Sequence, residues 1–108
     1  MNDDILTITQ RLENHYEEVD DLSAAYYEAK TKYEALERNK KTMLATCELL
    51  SQSKTQAAIT RDALNDPMYT SHLAGLDAAA QKYNQATASF EALKMKISIL
   101  QSINKHLN

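Results

Sequence analysis

Apolar residues recur along the first half of this chain with the alternating three- and four-residue spacing of a coiled coil. Between Ile5 and Leu50 the spacing defines fourteen positions, and twelve of them are apolar or aromatic. A repeat kept over more than three heptads predicts a helix with one narrow apolar face. A helix of about 50 residues is roughly 75 Å long. A chain of 108 residues cannot wrap a globular core around such a rod, so the helix must pack lengthwise against another helix.

The second half of the chain contains that helix, with the same spacing from Tyr69 onward. Asp66 is a favourable N-cap and Pro67 suits the first helical position, so we expect the helix to begin there. Gly75 lies inside it, and we expect a close packing contact at this glycine. Leu73, Ala80 and Ile103 broaden the apolar face. We call the following residues the seam and expect them to mediate helix pairing and self-association: Leu12, Val19, Leu22, Tyr26, Tyr33, Leu36, Met43, Leu76, Tyr83, Phe90, Leu93, Ile97 and Leu100.

The scarcity of turn-forming residues supports an all-α fold. The chain has one Gly and one Pro, against usual frequencies of roughly 7% and 5%. Hairpin turns and phosphate-binding loops depend on these residues, so β-rich and α/β folds are nearly excluded. The single cysteine, Cys47, cannot form an internal disulfide, and its place in the apolar repeat predicts a buried structural thiol.

Two arrangements of the middle of the chain are compatible with the pattern. In the favoured one, helices span residues 3–52, 55–64 and 67–107; in the other, the first helix continues to residue 64. The polar cluster at 51–55 favours the first. We therefore predict one all-α domain over residues 1–108: a long antiparallel helical hairpin with coiled-coil-like packing and a short connecting helix. Two such hairpins are expected to pair into a helical bundle.

Charge is distributed unevenly along the chain, although the net charge is only −3. The first helix carries a surface that we call the acidic stripe, a candidate docking surface for a basic partner. Its residues are Glu13, Glu17, Glu18, Asp20, Asp21 and Glu28. The basic segment that follows holds the candidate phosphate contacts Arg38, Lys40 and Lys41. Direct nucleic-acid binding through these three is the weaker alternative, because an acidic protein needs multimerisation to concentrate positive charge.

No arrangement of residues predicts catalysis or a cofactor. The histidines are scattered, and none belongs to a pair with metal-ligand spacing, so we expect no metal site and no small-molecule substrate. His15, His72, Lys40 and Asn104 are expected to form polar layers in the seam. Without a signal peptide or a long apolar run, a cytoplasmic location is expected, with no membrane partner.

From Arg61 onward the chain resembles small helical proteins of tailed bacteriophages and prophages. These are typically encoded among early genes for recombination, replication or host takeover. The resemblance covers roughly the last 48 residues. It lies in four short motifs and four single positions: Arg61–Leu64, Asp66–Tyr69, His72–Leu73, Tyr83, Phe90–Leu93, Ile97, Leu100 and Asn104. It implies a phage accessory protein in the host cytoplasm and transfers no catalytic residue.

These observations predict a non-enzymatic helical protein that acts by binding macromolecules. The leading hypothesis is an accessory factor in phage DNA recombination or replication. The alternative is an inhibitor of a host antiviral enzyme, for example of the anti-CRISPR type, and a structural or assembly role is a third. The expected partners are a second copy, forming a dimer, and a phage or host protein.

Overall fold

The computed structural model contains three helices: α1 (Asn2–Leu50), α2 (Gln56–Asn65) and α3 (Pro67–Leu107). It describes the backbone of residues 2–107 and the side chains of residues 7–106. No strand occurs in this part of the chain. The predicted all-α helical hairpin with a short connecting helix is confirmed. Since α1 ends at Leu50, the chain adopts the arrangement with three segments, and α1 does not continue to residue 64.

Polar side chains define the ends of the connecting helix. Thr55 caps α2, because its hydroxyl accepts a hydrogen bond from the backbone N–H of Ala58 at 3.3 Å. Asp66 interrupts the chain between α2 and α3 with an extended backbone. Its carboxylate accepts from the backbone N–H of Met68 at 2.8 Å, and α3 begins at Pro67, as the sequence predicted.

A carboxylate bound by two serines holds the link between α1 and α2. The Ser51 hydroxyl donates to Asp62 at 2.7 Å, and the Ser53 hydroxyl donates to the same oxygen at 2.6 Å. Both bonds favour the ionised carboxylate, so they lower the pKa of Asp62. These contacts join the linker directly to α2 and fix where α1 stops.

The chain divides into two compact units. The first unit comprises Met1–Glu28 and Asn84–Asn108. Its two helical segments run antiparallel, with Tyr26 and Phe90 in ring contact at 5.5 Å between centroids and the Gln101 amide donating to the Tyr16 hydroxyl at 2.7 Å. Among the described side chains of this unit, the buried leucines are Leu12, Leu93 and Leu100.

The second unit comprises Ala29–Tyr83 and includes α2. Tyr33 and Tyr83 stack at 5.6 Å between ring centroids, while Cys47, Ala63 and Tyr69 form a buried cluster. Partly buried side chains complete this cluster: Met43, Leu44 and Leu73. The small side chain of Ala63, fully buried, lets α2 approach α1 and α3 closely.

The structure places all thirteen seam residues in buried or half-buried positions within a single chain. This burial agrees with helix pairing through the seam within one chain. Self-association through the seam stays a prediction. Leu50, the last position of the apolar repeat, is exposed because α1 ends there. The side chain of Ile5 lies outside the described residues. The expected packing contact at Gly75 is wrong: a Cβ at this position would meet nothing within 4 Å.

Candidate interaction surfaces

The polar residues of the seam differ in how well their hydrogen-bonding groups are satisfied. His72 is half-buried, and its Nε2 donates to the backbone carbonyl of Leu36 at 2.9 Å. In the first unit, His15 Nδ1 lies 3.7 Å from a Glu18 carboxylate oxygen, too far for a hydrogen bond. His15 Nδ1 and Asn104 Oδ1 are enclosed without a hydrogen-bond partner. Polar positions therefore occur in both units, and the half-buried Lys40 adds one more to the second.

All six residues of the acidic stripe are exposed. Within the described part of the chain only one of them, Glu18, lies within ion-pair distance of a basic group, and its partner is His15. The first unit contains nine acidic and four basic residues, a net charge of −5. The second unit contains six acidic and eight basic residues, a net charge of +2. The acidic stripe is therefore a surface whose negative charge is not neutralised internally.

The basic segment lines a pocket of the second unit with a volume of about 350 Å³. We call it the basic pocket, and its lining consists of Glu37, Arg38, Lys40, Lys41, Leu44 and Tyr69. All three candidate phosphate contacts line this pocket, and Tyr69, near the start of α3, lines it with them. The sequence did not reveal this grouping, because Tyr69 follows Lys41 by 28 positions and was placed on the apolar face of its helix.

The outer face of α3 in the first unit is unexpectedly apolar. Met95 is 64% exposed, Ile99 54% and Ile103 42%. Ile103, which was expected to broaden the apolar face of the helix, is thus exposed within the single chain. Ile99 also borders a pocket of about 400 Å³, lined in addition by Arg11, His15, Lys96 and Leu100. We define the outer α3 face by the exposed residues that follow a three- and four-residue spacing: Ala88, Ala92, Met95, Ile99, Ser102 and His106, with Ile103 beside them.

Cys47 is a buried thiol, as predicted, with 1% of its surface exposed. Burial raises the pKa of the Cys47 thiol, and the negative charge of Asp66 raises it further. Both effects disfavour the reactive thiolate. Among the described residues, no group of three or more His, Cys, Asp and Glu side chains is placed to hold a metal ion.

No helix in the described part of the chain combines the length and the apolar character needed to cross a membrane. Comparison with known proteins gave no relatives: no family model matches the chain, no curated protein matches its sequence and no solved structure matches its fold. The resemblance to phage proteins therefore stays a prediction.

Proposed function

We propose that this chain acts by binding another macromolecule through the acidic stripe, as an accessory factor in phage DNA recombination or replication. The observation that supports this proposal is the exposure of the stripe without neutralising partners, since five of its six carboxylates lack an ion pair within the described residues. Like charges on one helix face repel each other and do not stabilise the fold. A basic partner surface removes that repulsion and accelerates association.

The spacing of the stripe supports a partner that handles DNA. Residues 13–28 rise by roughly 22 Å along an α-helix, so the six carboxylates amount to one negative charge in about 4 Å. The phosphates along one DNA strand are about 3.4 Å apart. A groove that recognises a DNA strand by its charge therefore offers suitably spaced cations. Recombinases, annealing proteins and single-strand-binding proteins have such grooves.

The alternative function uses the same surface. An inhibitor of a host antiviral nuclease would occupy the nuclease's DNA-binding groove with the acidic stripe. The two functions differ in the identity of the partner and in the consequence of binding. An accessory factor gives up the groove to DNA and leaves its partner active, while an inhibitor stays in the groove and keeps DNA out.

A matched pair of charge reversals tests the proposal. Asp20 and Asp77 are both exposed helical aspartates without an ion pair in the described residues, but only Asp20 belongs to the acidic stripe. Tagged wild-type, Asp20→Lys and Asp77→Lys chains are used to recover partners from phage-infected lysate, with and without nuclease. Affinity for the purified partner is then measured for all three. We expect Asp20→Lys to weaken binding roughly tenfold, because reversal replaces an attraction with a repulsion, and Asp77→Lys to have little effect.

The partner and its activity decide between the hypotheses. Recovery of a phage recombination or single-strand-binding protein in both nuclease conditions, with selective loss on Asp20→Lys, supports the accessory function. Recovery of a host nuclease that the chain inhibits supports the alternative. Equal binding by all three chains contradicts a role for the stripe.

Self-association is part of the proposal, and we assign it to the outer α3 face in place of the seam predicted from the sequence. The seam residues are already buried or half-buried within one chain, while Met95 and Ile99 are exposed with the spacing typical of a helix–helix contact. In the proposed dimer, two copies of α3 pack antiparallel through this face, with position 97 at the midpoint of the contact. Met95 of one copy then lies opposite Ile99 of the other. We expect Ile99→Lys to lower the dimer fraction measured by sedimentation, and the neighbouring exposed change Ser98→Lys to lower it much less. Equal dimer fractions in both variants contradict the assignment.

A further inference from the structure

We propose that the basic pocket binds a phosphate monoester, as found in a nucleoside monophosphate or at the 5′ end of a DNA strand. This inference does not depend on the proposed function, because the basic pocket and the acidic stripe belong to different units. The observation that supports it is that cationic, hydroxyl and apolar groups from two distant parts of the sequence line one small concave site.

The cations of the basic pocket have no counter-ion among the described side chains. Within the described residues no ion pair involves Arg38, Lys40 or Lys41. Glu37 also lines the pocket, but it is not within ion-pair distance of any of the three. The lining therefore has a formal charge of +2. A phosphate monoester carries about −1.5 to −2 at neutral pH, so it matches this charge better than a diester with a single negative charge.

Helix geometry explains why these charges converge. Residues 37, 41 and 44 follow each other at four- and three-residue intervals, so their side chains share one face of α1, and Lys40 lies beside them. Lys40 is half-buried, which restricts the conformations open to its side chain. Arg38 supplies a planar group able to donate two parallel hydrogen bonds to phosphate oxygens.

Tyr69 adds a hydroxyl that no described residue of the protein hydrogen-bonds. Tyr69 is only 5% exposed, and it lines the basic pocket. The structure shows no hydrogen bond to its hydroxyl from any described residue. The hydroxyl is not fully enclosed, so it keeps some contact with solvent. A hydroxyl that no protein group engages is available to donate a hydrogen bond to a phosphate oxygen in the pocket.

The remaining wall and the size of the pocket favour an organic phosphate. Leu44 and the ring of Tyr69 form an apolar surface beside the charged groups. A volume of about 350 Å³ lies at the lower end of the range of small-ligand sites, which is roughly 300–1,000 Å³. The site therefore has room for a phosphate and for part of the organic group attached to it.

Calorimetric titration of the full chain tests the assignment. The ligands are thymidine 5′-monophosphate, thymidine, inorganic phosphate, and one oligothymidylate with either a 5′-phosphate or a 5′-hydroxyl. We expect the monophosphate to bind and thymidine not to bind. Tighter binding of the oligonucleotide that carries the 5′-phosphate identifies a DNA end as a source of the ligand; equal binding of both oligonucleotides overturns that source. Equal heats from thymidine and its monophosphate overturn the phosphate site.

Matched variants separate the pocket from general charge attraction. Lys40→Gln and Arg38→Gln remove cations of the pocket, whereas Lys82→Gln removes an exposed cation of the same unit outside it. Tyr69→Phe removes only the hydroxyl and breaks no hydrogen bond within the described residues. We expect about a tenfold weaker affinity for Lys40→Gln, Arg38→Gln and Tyr69→Phe, the loss typical of a hydrogen bond to a charged group. Unchanged affinity in Arg38→Gln and Tyr69→Phe, or equal weakening by Lys82→Gln, overturns the proposal.

Discussion

Truncation of Leu93 measures how much the seam contributes to stability. Leu93 is 3% exposed in the first unit, while Leu49, near the end of α1, is 87% exposed. The change to Ala removes three carbon atoms at either position and affects helix propensity similarly. At about 0.8 kcal/mol per buried carbon, the lost transfer free energy is about 2.3 kcal/mol at Leu93 and about 0.3 kcal/mol at Leu49. An unfilled cavity increases the cost at Leu93, to about 3 kcal/mol.

This loss is large against the total stability of a small domain, which is about 5–15 kcal/mol. Urea denaturation followed by circular dichroism measures the difference. With a slope of about 2 kcal/mol per molar urea, Leu93→Ala lowers the unfolding midpoint by about 1.5 M. Leu49→Ala, the matched control, shifts it by less than about 0.3 M. Equal shifts for the two variants would refute the reasoning, because they would show that Leu93 is no more buried in solution than Leu49.

Three further predictions concern the second unit. Gly75→Ala raises the free energy of unfolding by about 0.5–1 kcal/mol, since its Cβ meets no neighbour; a lower denaturation midpoint would contradict an open site. Cys47 reacts slowly with a thiol reagent in the native protein and rapidly in denaturant, because burial raises its pKa and blocks access; rapid native labelling would contradict the burial. The serine contacts lower the pKa of Asp62 from its usual 3.8, so they stabilise the fold above that pH and their contribution is lost as pH falls through the lowered value. The difference in thermal midpoint between wild type and Asp62→Asn should therefore shrink below pH 3.8, and a constant difference would argue against this linkage.

The helical hairpin was predictable because its signals are local and repeated. A single Gly and a single Pro leave few points at which a helix can end, and Asp66–Pro67 marks one of them clearly. The end of α1 was harder to predict from the sequence. It depends on Ser51 and Ser53 binding Asp62, a contact between residues nine and eleven positions apart that no repeat reveals. The sequence showed the polar cluster at residues 51–55, but it did not show that Asp62 is the hydrogen-bond partner of this cluster.

The two candidate surfaces also differ in how far the sequence predicted them. The acidic stripe could be read directly, because acidic residues in one stretch of helix remain exposed unless another element covers them. The basic pocket could be read only in part. The cations are neighbours in sequence, whereas Tyr69 joins them through the packing of α3 on α1.

The sequence by itself determined that this chain is helical, that its last helix begins at Asp66–Pro67, and where its charges lie. Those properties follow from backbone preferences and from spacing along one helix. Only the tertiary structure decided that Tyr69 lies beside the basic segment and that the His72 ring meets the Leu36 carbonyl. It also decided that the apolar residues Met95 and Ile99 remain uncovered. Contacts between helices depend on their register and rotation, which arise from the packing of many side chains together and which no single segment specifies.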